Sequence, residues 1–252
     1  MPFQPIENYG VIGNMQSVAL VGMNGSIDFF CYPEFDSPTV FAALLDDQKG
    51  GRSAIGPQLS NMCVRQLYLP EINILLTRFL AEEGVAELTD YMPIENDGAQ
   101  SNEIVRTVSV IRGIVRFQMC CQPRFNYAAG KHEINVSDRC VTFIPEDTVC
   151  PPLSLYSTVA VQQQSKDVVS DFTLNAGETA TFILGSPRAK GQPPEMALIG
   201  RRLFDTAQFW KSWISQSNYK GRWREMVQRS ALVLKLLISR THGSLIAAPT
   251  FT

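Results

Sequence analysis

Val18-Ala19-Leu20-Val21-Gly22-Met23-Asn24-Gly25-Ser26-Ile27-Asp28-Phe29-Phe30-Cys31 is the stretch that decides the fold class. Two apolar runs flank an Asn-Gly pair, whose residues tolerate the positive φ that a tight hairpin turn demands. The pattern then repeats along the chain. Ile74 to Ala81 and Val85 to Tyr91 flank Glu82-Glu83-Gly84, predicting a second hairpin. Glu103 to Val110 and Ile114 to Cys121 flank Arg112-Gly113, predicting a third. Arg139 to Ile144, Leu153 to Gln162, Ser170 to Leu174 and Thr179 to Leu184 read as further strands. The last two are joined by the turn Asn175-Ala176-Gly177-Glu178. Many short strands at this spacing predict a mainly β fold, a large antiparallel β-sandwich, over residues 1–185. One short helix is predicted within it at Pro38 to Leu45, with Ser37 as N-cap and Pro38 in the first turn.

The pattern changes after Gly185. Ser186 to Pro194 is rich in Pro, Gly and charge and reads as a linker. Leu203, Ala207, Trp210 and Ile214 then recur at helical spacing. Trp223, Val227, Ala231, Leu234 and Ile238 make one stripe of a second helix that Gly243 should end. Residues 186–252 are therefore expected to be a linker and helical segment packed on the sandwich. Left alone, the second stripe would be a large exposed apolar patch. Folding back on the sandwich, or a homodimer through the C-terminal helix, would cover it, and a natural end at Thr252 is expected.

Composition narrows the partners. The 252 residues carry a formal charge of -2, with both signs scattered, so no basic patch for nucleic acid is expected. No apolar run reaches the roughly 20 residues of a membrane span. Met1 to Gly10 lacks the basic-then-apolar pattern of a secretory signal, which points to the cytoplasm. Six cysteines (Cys31, Cys63, Cys120, Cys121, Cys140, Cys150) are accordingly expected as reduced, mostly buried thiols. With only two histidines, His132 and His242, neither a metal site nor a cofactor is expected.

Several blocks together carry a family resemblance. Pro5-Ile6-Glu7-Asn8-Tyr9 and Ile12-Gly13 precede Ala19-Leu20-Val21-Gly22 and Gly25-Ser26-Ile27-Asp28. Phe35-Asp36-Ser37-Pro38, Pro123-Arg124-Phe125-Asn126-Tyr127, Trp223-Arg224-Glu225, Arg229-Ser230-Ala231-Leu232 and Ala247-Ala248-Pro249-Thr250 follow. In this order they resemble bacterial-type family-15 glycoside hydrolases, a group of glucoamylase-like, glucodextranase-like and trehalase-like enzymes. The resemblance implies a β-sandwich, a helical linker and then an α/α toroid. Inverting hydrolysis needs two carboxylates roughly 6.5–9.5 Å apart. In such enzymes they are toroid glutamates beyond Thr252, so no residue here inherits either role. Gly13-Asn14-Met15-Gln16-Ser17 departs from the family's usual Gly-Asp-Cys-Arg-Thr, and Phe29 and Asn126 stand where Trp and Asp are usual.

Two functions follow as expectations. In the first, the chain is a standalone, non-hydrolytic protein that binds an apolar small molecule and catalyses a cofactor-free cyclisation or cycloaddition. Such a site would rest on positioning and exclusion of water. In the second, it is the non-catalytic N-terminal structural domain of a glucoamylase-like or trehalase-like hydrolase. Candidate ligand-binding residues are Asp28, Tyr91, Arg106, Arg112, Arg124, Tyr127 and Trp223. Each has a structural alternative. Arg124 either donates to an oxyanion, as does Tyr127, or pins a turn through a carboxylate. Asp28 and Asp90 act as acid or base, or bond backbone amides in the sheet. Arg106 and Arg112 share one strand face by alternation, to bind an anion or to stand in solvent or an ion pair. His132 is expected in a solvated loop, and Trp210, Trp213 and Trp223 in the core.

Overall fold

The hairpin quoted at the outset forms as read: β2 (Val18–Gly22) pairs antiparallel with β3 (Ser26–Cys31). Gly25 turns the chain at φ +79°, and a Cβ there would lie 2.2 Å from the Ile55 carbonyl oxygen. The computed structural model describes residues 3–94, 102–137, 139–188 and 195–248. On the outer side of β2 runs β1 (Tyr9–Gly13); on that of β3 run β4 (Thr39–Phe41) and β5 (Ser53–Pro57). The second hairpin also forms, from β7 (Leu75–Leu80) and β8 (Gly84–Tyr91), with β6 (Cys63–Tyr68) beside β7.

The third predicted hairpin does not form. Glu103 to Cys121 instead supplies one 18-residue strand, β9 (Ile104–Cys121). Val85 pairs with Arg112 and Ala86 with Val110, so Ile111 is an extra, bulged residue. Gly113 follows at φ +83°. The positive φ that suggested a turn thus serves a bulge, which bends the strand without reversing it. The bulge also shifts the alternation by one. Even positions from Ile104 to Val110 point inward before it, and odd positions from Val115 to Cys121 after it. Arg106 is therefore buried and Arg112 exposed, so the shared face expected for them does not exist.

Because β9 is so long, it belongs to two layers. Its second half pairs with β5 and with β14 (Asp167–Asn175), which carries β13 (Gln162–Gln164). Its first half pairs with β8 and with β15 (Thr179–Gly185). From β15 the second layer continues through β12 (Leu153–Ser157) and β11 (Cys140–Pro145) to β10 (His132–Val136). All pairings are antiparallel, and the shared core contains Phe30, Phe41, Phe79, Phe117, Phe143 and Phe182. The expected antiparallel sandwich is the observed fold.

No helix forms at Pro38 to Leu45. Thr39, Val40 and Phe41 are β-branched or aromatic and bury fully as β4, with Phe41 against Phe30. The backbone beyond them bonds outward rather than along a helix: Ala42 N–H to Gly50, Ala43 N–H to Gly51 and Leu44 N–H to Asp28. The two C-terminal helices are present as α1 (Met196–Ile214) and α2 (Arg224–Leu236). The second ends at Leu236, seven residues before Gly243. Most of the expected linker, residues 189–194, and Pro249-Thr250 lie outside the described residues.

Both helices cover the outer face of the second layer. Ile199, Trp210, Ile214, Leu232 and Leu236 join Tyr91, Val105, Tyr156 and Ile183 in a second core. Five large apolar side chains buried at about 1.5–3 kcal/mol each contribute on the order of 10 kcal/mol, an upper value before ordering costs.

Candidate functional site

The sequence-predicted residues do not assemble into one site. Asp28 bonds no sheet amide; the Tyr9 hydroxyl donates to its Oδ2 at 2.7 Å, and Arg52 Nε stands 3.6 Å from Oδ1. Burial first, and the hydrogen bond to Asp28 second, push the Tyr9 hydroxyl well above its ordinary range. The Tyr91 hydroxyl donates to the Ile199 carbonyl at 3.4 Å and is buried under α1. Arg112 caps the turn before β8 through the Ala81 and Glu82 carbonyls. Arg124 pairs with Asp167 at 2.6 Å and donates to its neighbour's carbonyl, pinning the loop. Tyr127 sits in a left-handed turn, φ +55°, half exposed, its N–H donating to Thr39 Oγ1. Among the described residues, no hydrogen bond or ion pair joins Asp28, Arg112, Arg124, Tyr127 and Trp223 to one another.

Arg106 and Asp90 do meet, in a buried pair. Arg106 Nε donates to Asp90 Oδ1 at 2.7 Å, and its other nitrogens donate to the Ser53 and Gly25 carbonyls at 2.8 and 2.7 Å. Burial drives the Asp90 carboxyl above its ordinary value, and Arg106 pulls it back down. With its bonds directed at Asp90, at Ser53 of β5 and at the Gly25 carbonyl in the β2–β3 turn, Arg106 ties the two layers together. His132 is not solvated: it is buried between the edges of Phe125 and Phe143 and bonds the Lys166 carbonyl, and desolvation lowers its pKa.

The residues with the most organised geometry are ones the sequence left unmarked, and they hold the helices. Glu103, buried at the start of β9, accepts from Arg202 of α1 at 2.5 Å and from Arg188 at 2.6 Å. Arg188 also lies over the Tyr156 ring. A second clamp holds α2. The Tyr68 hydroxyl donates to the Val11 carbonyl and accepts from the Val11 N–H, closing the free edge of β1. Arg229 stacks on the Tyr68 ring at 3.9 Å and donates to the Ile72 carbonyl and to Asn73 Oδ1. Asn73 Nδ2 in turn donates to the Leu232 carbonyl at 3.1 Å. Burial lowers the Arg229 pKa.

These clamps orient α2 so that Leu232 and Leu236 face the sandwich. Of the stripe Trp223, Val227, Ala231, Leu234 and Ile238, three residues point away, Trp223 being 56% and Leu234 52% exposed with Val227 also open. Ala231 and Ile238 are half-buried, and Met226, outside that stripe, is 65% exposed beside them. Trp210 alone of the three tryptophans is fully buried. Between α2 and the loop after β6 lies an open groove of about 530 Å³, lined by Glu71, Arg224, Glu225, Gln228 and Arg229 among others. No group of three metal-ligating side chains and no helix long and apolar enough to cross a membrane occurs among the described residues.

Known proteins match this chain along nearly its whole length. The family model described as "Trehalase-like, N-terminal" matches residues 2–174. A trehalase of Thermoplasma volcanium is 31% identical over 98% of this chain and 40% of its own length. One from Thermoplasma acidophilum is 32% identical over 92% of the chain and 40% of its length. For the trehalase of Mycobacterium tuberculosis the values are 26%, 99% and 40%. The chain spans about two fifths of the length of these relatives. It belongs to the trehalase-like N-terminal domain family.

Proposed function

We propose that the chain is the non-catalytic N-terminal β-sandwich of a trehalase-type glycoside hydrolase, and that it seats a helical catalytic domain. The observation that carries this is the two-sidedness of α2. One face is fixed to the sandwich by Arg229, Asn73, Leu232 and Leu236, while Trp223, Met226, Val227 and Leu234 stand open on the other. An apolar patch of this kind on an ordered helix marks a contact surface. The seated domain would supply the acid and base glutamates, and the sandwich would hold its first helix in place. An apolar pocket for a cyclising ligand gains no support. The groove beside α2 is open and mixes charged and amide groups with Tyr68, Leu69, Pro70 and Leu232, and the relatives bear the name trehalase.

The test is to read the transcript beyond the codon for Thr252 and assay the complete product on trehalose. The frame is expected to continue into paired helices with two glutamates, and turnover is expected to fall when Trp223 and Leu234 are changed to Asp. A stop codon directly after Thr252, or hydrolysis by residues 1–252 alone, would overturn the proposal.

A further inference from the structure

The loop between β4 and β5 and the turn after β9 border an open concavity of about 250 Å³. Ala42, Leu45, Asp46 and Lys49 line it from the loop, and Tyr127 and Ala128 from the turn. No residue of α1 or α2 contributes, so it is separate from the contact surface on α2.

The turn is strained, and it is held. Asn126, Tyr127 and Ala128 stand in succession at positive φ, +51°, +55° and +66°. A Cβ disfavours that conformation, and tyrosine and alanine lack the short polar side chain that eases it for asparagine. The surroundings impose it. Tyr127 N–H donates to Thr39 Oγ1 at 3.1 Å, Ala129 N–H to the Asn126 carbonyl at 2.9 Å and Gly130 N–H to the Phe125 carbonyl at 3.0 Å. Phe125 is fully buried, and Arg124 is paired with Asp167. Glycine would close such a turn at no steric cost. This turn instead carries a ring: Tyr127 is 45% exposed, and its hydroxyl makes no hydrogen bond among the described residues. Backbone strain that its surroundings fix in this way collects at ligand clamps. The polar groups narrow the ligand. Asp46 Oδ1 accepts from the Gln48 and Lys49 N–H groups, both at 3.0 Å, which holds the carboxyl below its ordinary range. Lys49 brings the opposite charge to the same concavity, so neither an anion nor a cation meets an uncompensated partner there. A neutral molecule with hydroxyls at its edge and C–H groups on its face answers both the charged pair and the ring.

We infer that this concavity binds the ring of a neutral sugar. The C–H face of the ring lies on Tyr127 and Leu45, one hydroxyl donates to Asp46 and another accepts from Lys49. The volume suits a single ring, being below the roughly 300–1,000 Å³ of drug-sized sites. The inference does not rest on the seating role of α2, and the two are tested separately.

The test is an NMR titration of the 252-residue chain with methyl α-glucoside, and in parallel with sorbitol, which carries hydroxyls but no ring face. Saturable binding of the glucoside in the millimolar range is expected, with sorbitol weaker by about fivefold or more. Tyr127→Ala should weaken the glucoside by about fivefold or more, and Tyr127→Phe, which keeps the aromatic face, should stay within about twofold of wild type. Both variants keep a Cβ at the same positive φ, so neither adds strain to the turn. Lys49→Met should weaken the glucoside by about threefold or more, whereas Lys211→Met, exposed on α1, controls for net charge and should not. Absence of saturation by the glucoside, equal affinity for sorbitol, unchanged affinity in Tyr127→Ala, or an equal loss in Tyr127→Phe would each overturn the inference.

Discussion

Replacing Arg106 by methionine keeps the side-chain volume and removes only the charge and its hydrogen bonds. The wild-type side chain is 2% exposed, its partner Asp90 0%, and five donor contacts run to Asp90, Ser53 and Gly25. The Arg106→Met substitution would leave a carboxylate in the core without a cation, and breaking one half of a buried pair costs about 3–5 kcal/mol. That is a large share of a total stability of roughly 5–15 kcal/mol. The loss should depend on pH in a definite sense. Burial already holds the Asp90 carboxyl above 3.8, and Arg106 is the group that opposes it. Without Arg106 the folded state keeps the proton to higher pH than the unfolded chain does. Stability then falls as pH rises from about 4 through the folded-state pKa, by up to about 1.4 kcal/mol per pH unit. Urea denaturation followed by circular dichroism at about pH 4.5 and about pH 8 measures it. The destabilisation should be small at the lower pH and several kcal/mol at the higher. Combining Arg106→Met with Asp90→Leu should restore most of it, since an apolar pair replaces an ion pair at little cost. A loss below about 1 kcal/mol at the higher pH, or the same loss at both pH values, would refute the account of Arg106 as the tie between the two layers.

Glu103→Ala removes the buried carboxylate that both Arg188 and Arg202 donate to and should cost about 3 kcal/mol. Faster amide exchange confined to α1 would locate the damage. Gly113→Ala places a Cβ 2.4 Å from the Glu83 carbonyl oxygen at φ +83°, and should lower stability by more than about 1–2 kcal/mol in thermal melts. In the native protein one thiol, Cys63, should react quickly with a disulfide reagent, and all six after denaturation. Burial pushes the Cys31 thiol up to about 12, so it should stay inert at neutral pH until the chain unfolds.

The sandwich was legible because alternation and turn residues report local backbone geometry directly. Asn24-Gly25 gave a hairpin and Gly177 a turn, both glycines with the positive φ that their sequence implied. Arg112-Gly113 shows the limit of that signal. A positive-φ glycine between apolar runs specifies a break in regular pairing, and a bulge and a reversal break it in the same way. Which one forms depends on the partner strands, here β8, β14 and β15, whose contacts are remote in sequence. The helix predicted at Pro38 to Leu45 failed for a related reason, since burial of Val40 and Phe41 in the sheet outweighed an N-terminal capping pattern. The clamp residues did leave a trace. Arg202 falls in the buried series Ile199, Thr206, Trp210, Ile214, and Arg229 precedes Leu232 and Leu236 at the same phase. A charge on the buried side of a helix requires a partner, but the partners Glu103 and Tyr68 lie far back along the chain, in the sandwich.

The stripe on α2 is where periodicity and burial part company, and the difference bears on function. Trp223, Met226, Val227 and Leu234 stand open, while the sandwich takes the face bearing Arg229, Leu232 and Leu236. Both faces therefore offer apolar side chains. What fixes the rotation is directional: the Arg229–Tyr68 stack, the two carbonyl bonds at Ile72 and Leu232, and the Asn73 amide between them. Polar groups at a helix contact fix rotation and register better than they add stability. A helix held by such a clamp can present an apolar surface outward without collapsing onto its own sandwich. That is the arrangement a seat for another domain requires, and it locates the specificity of the seating in Arg229 and Asn73 and its affinity in Trp223, Met226 and Leu234.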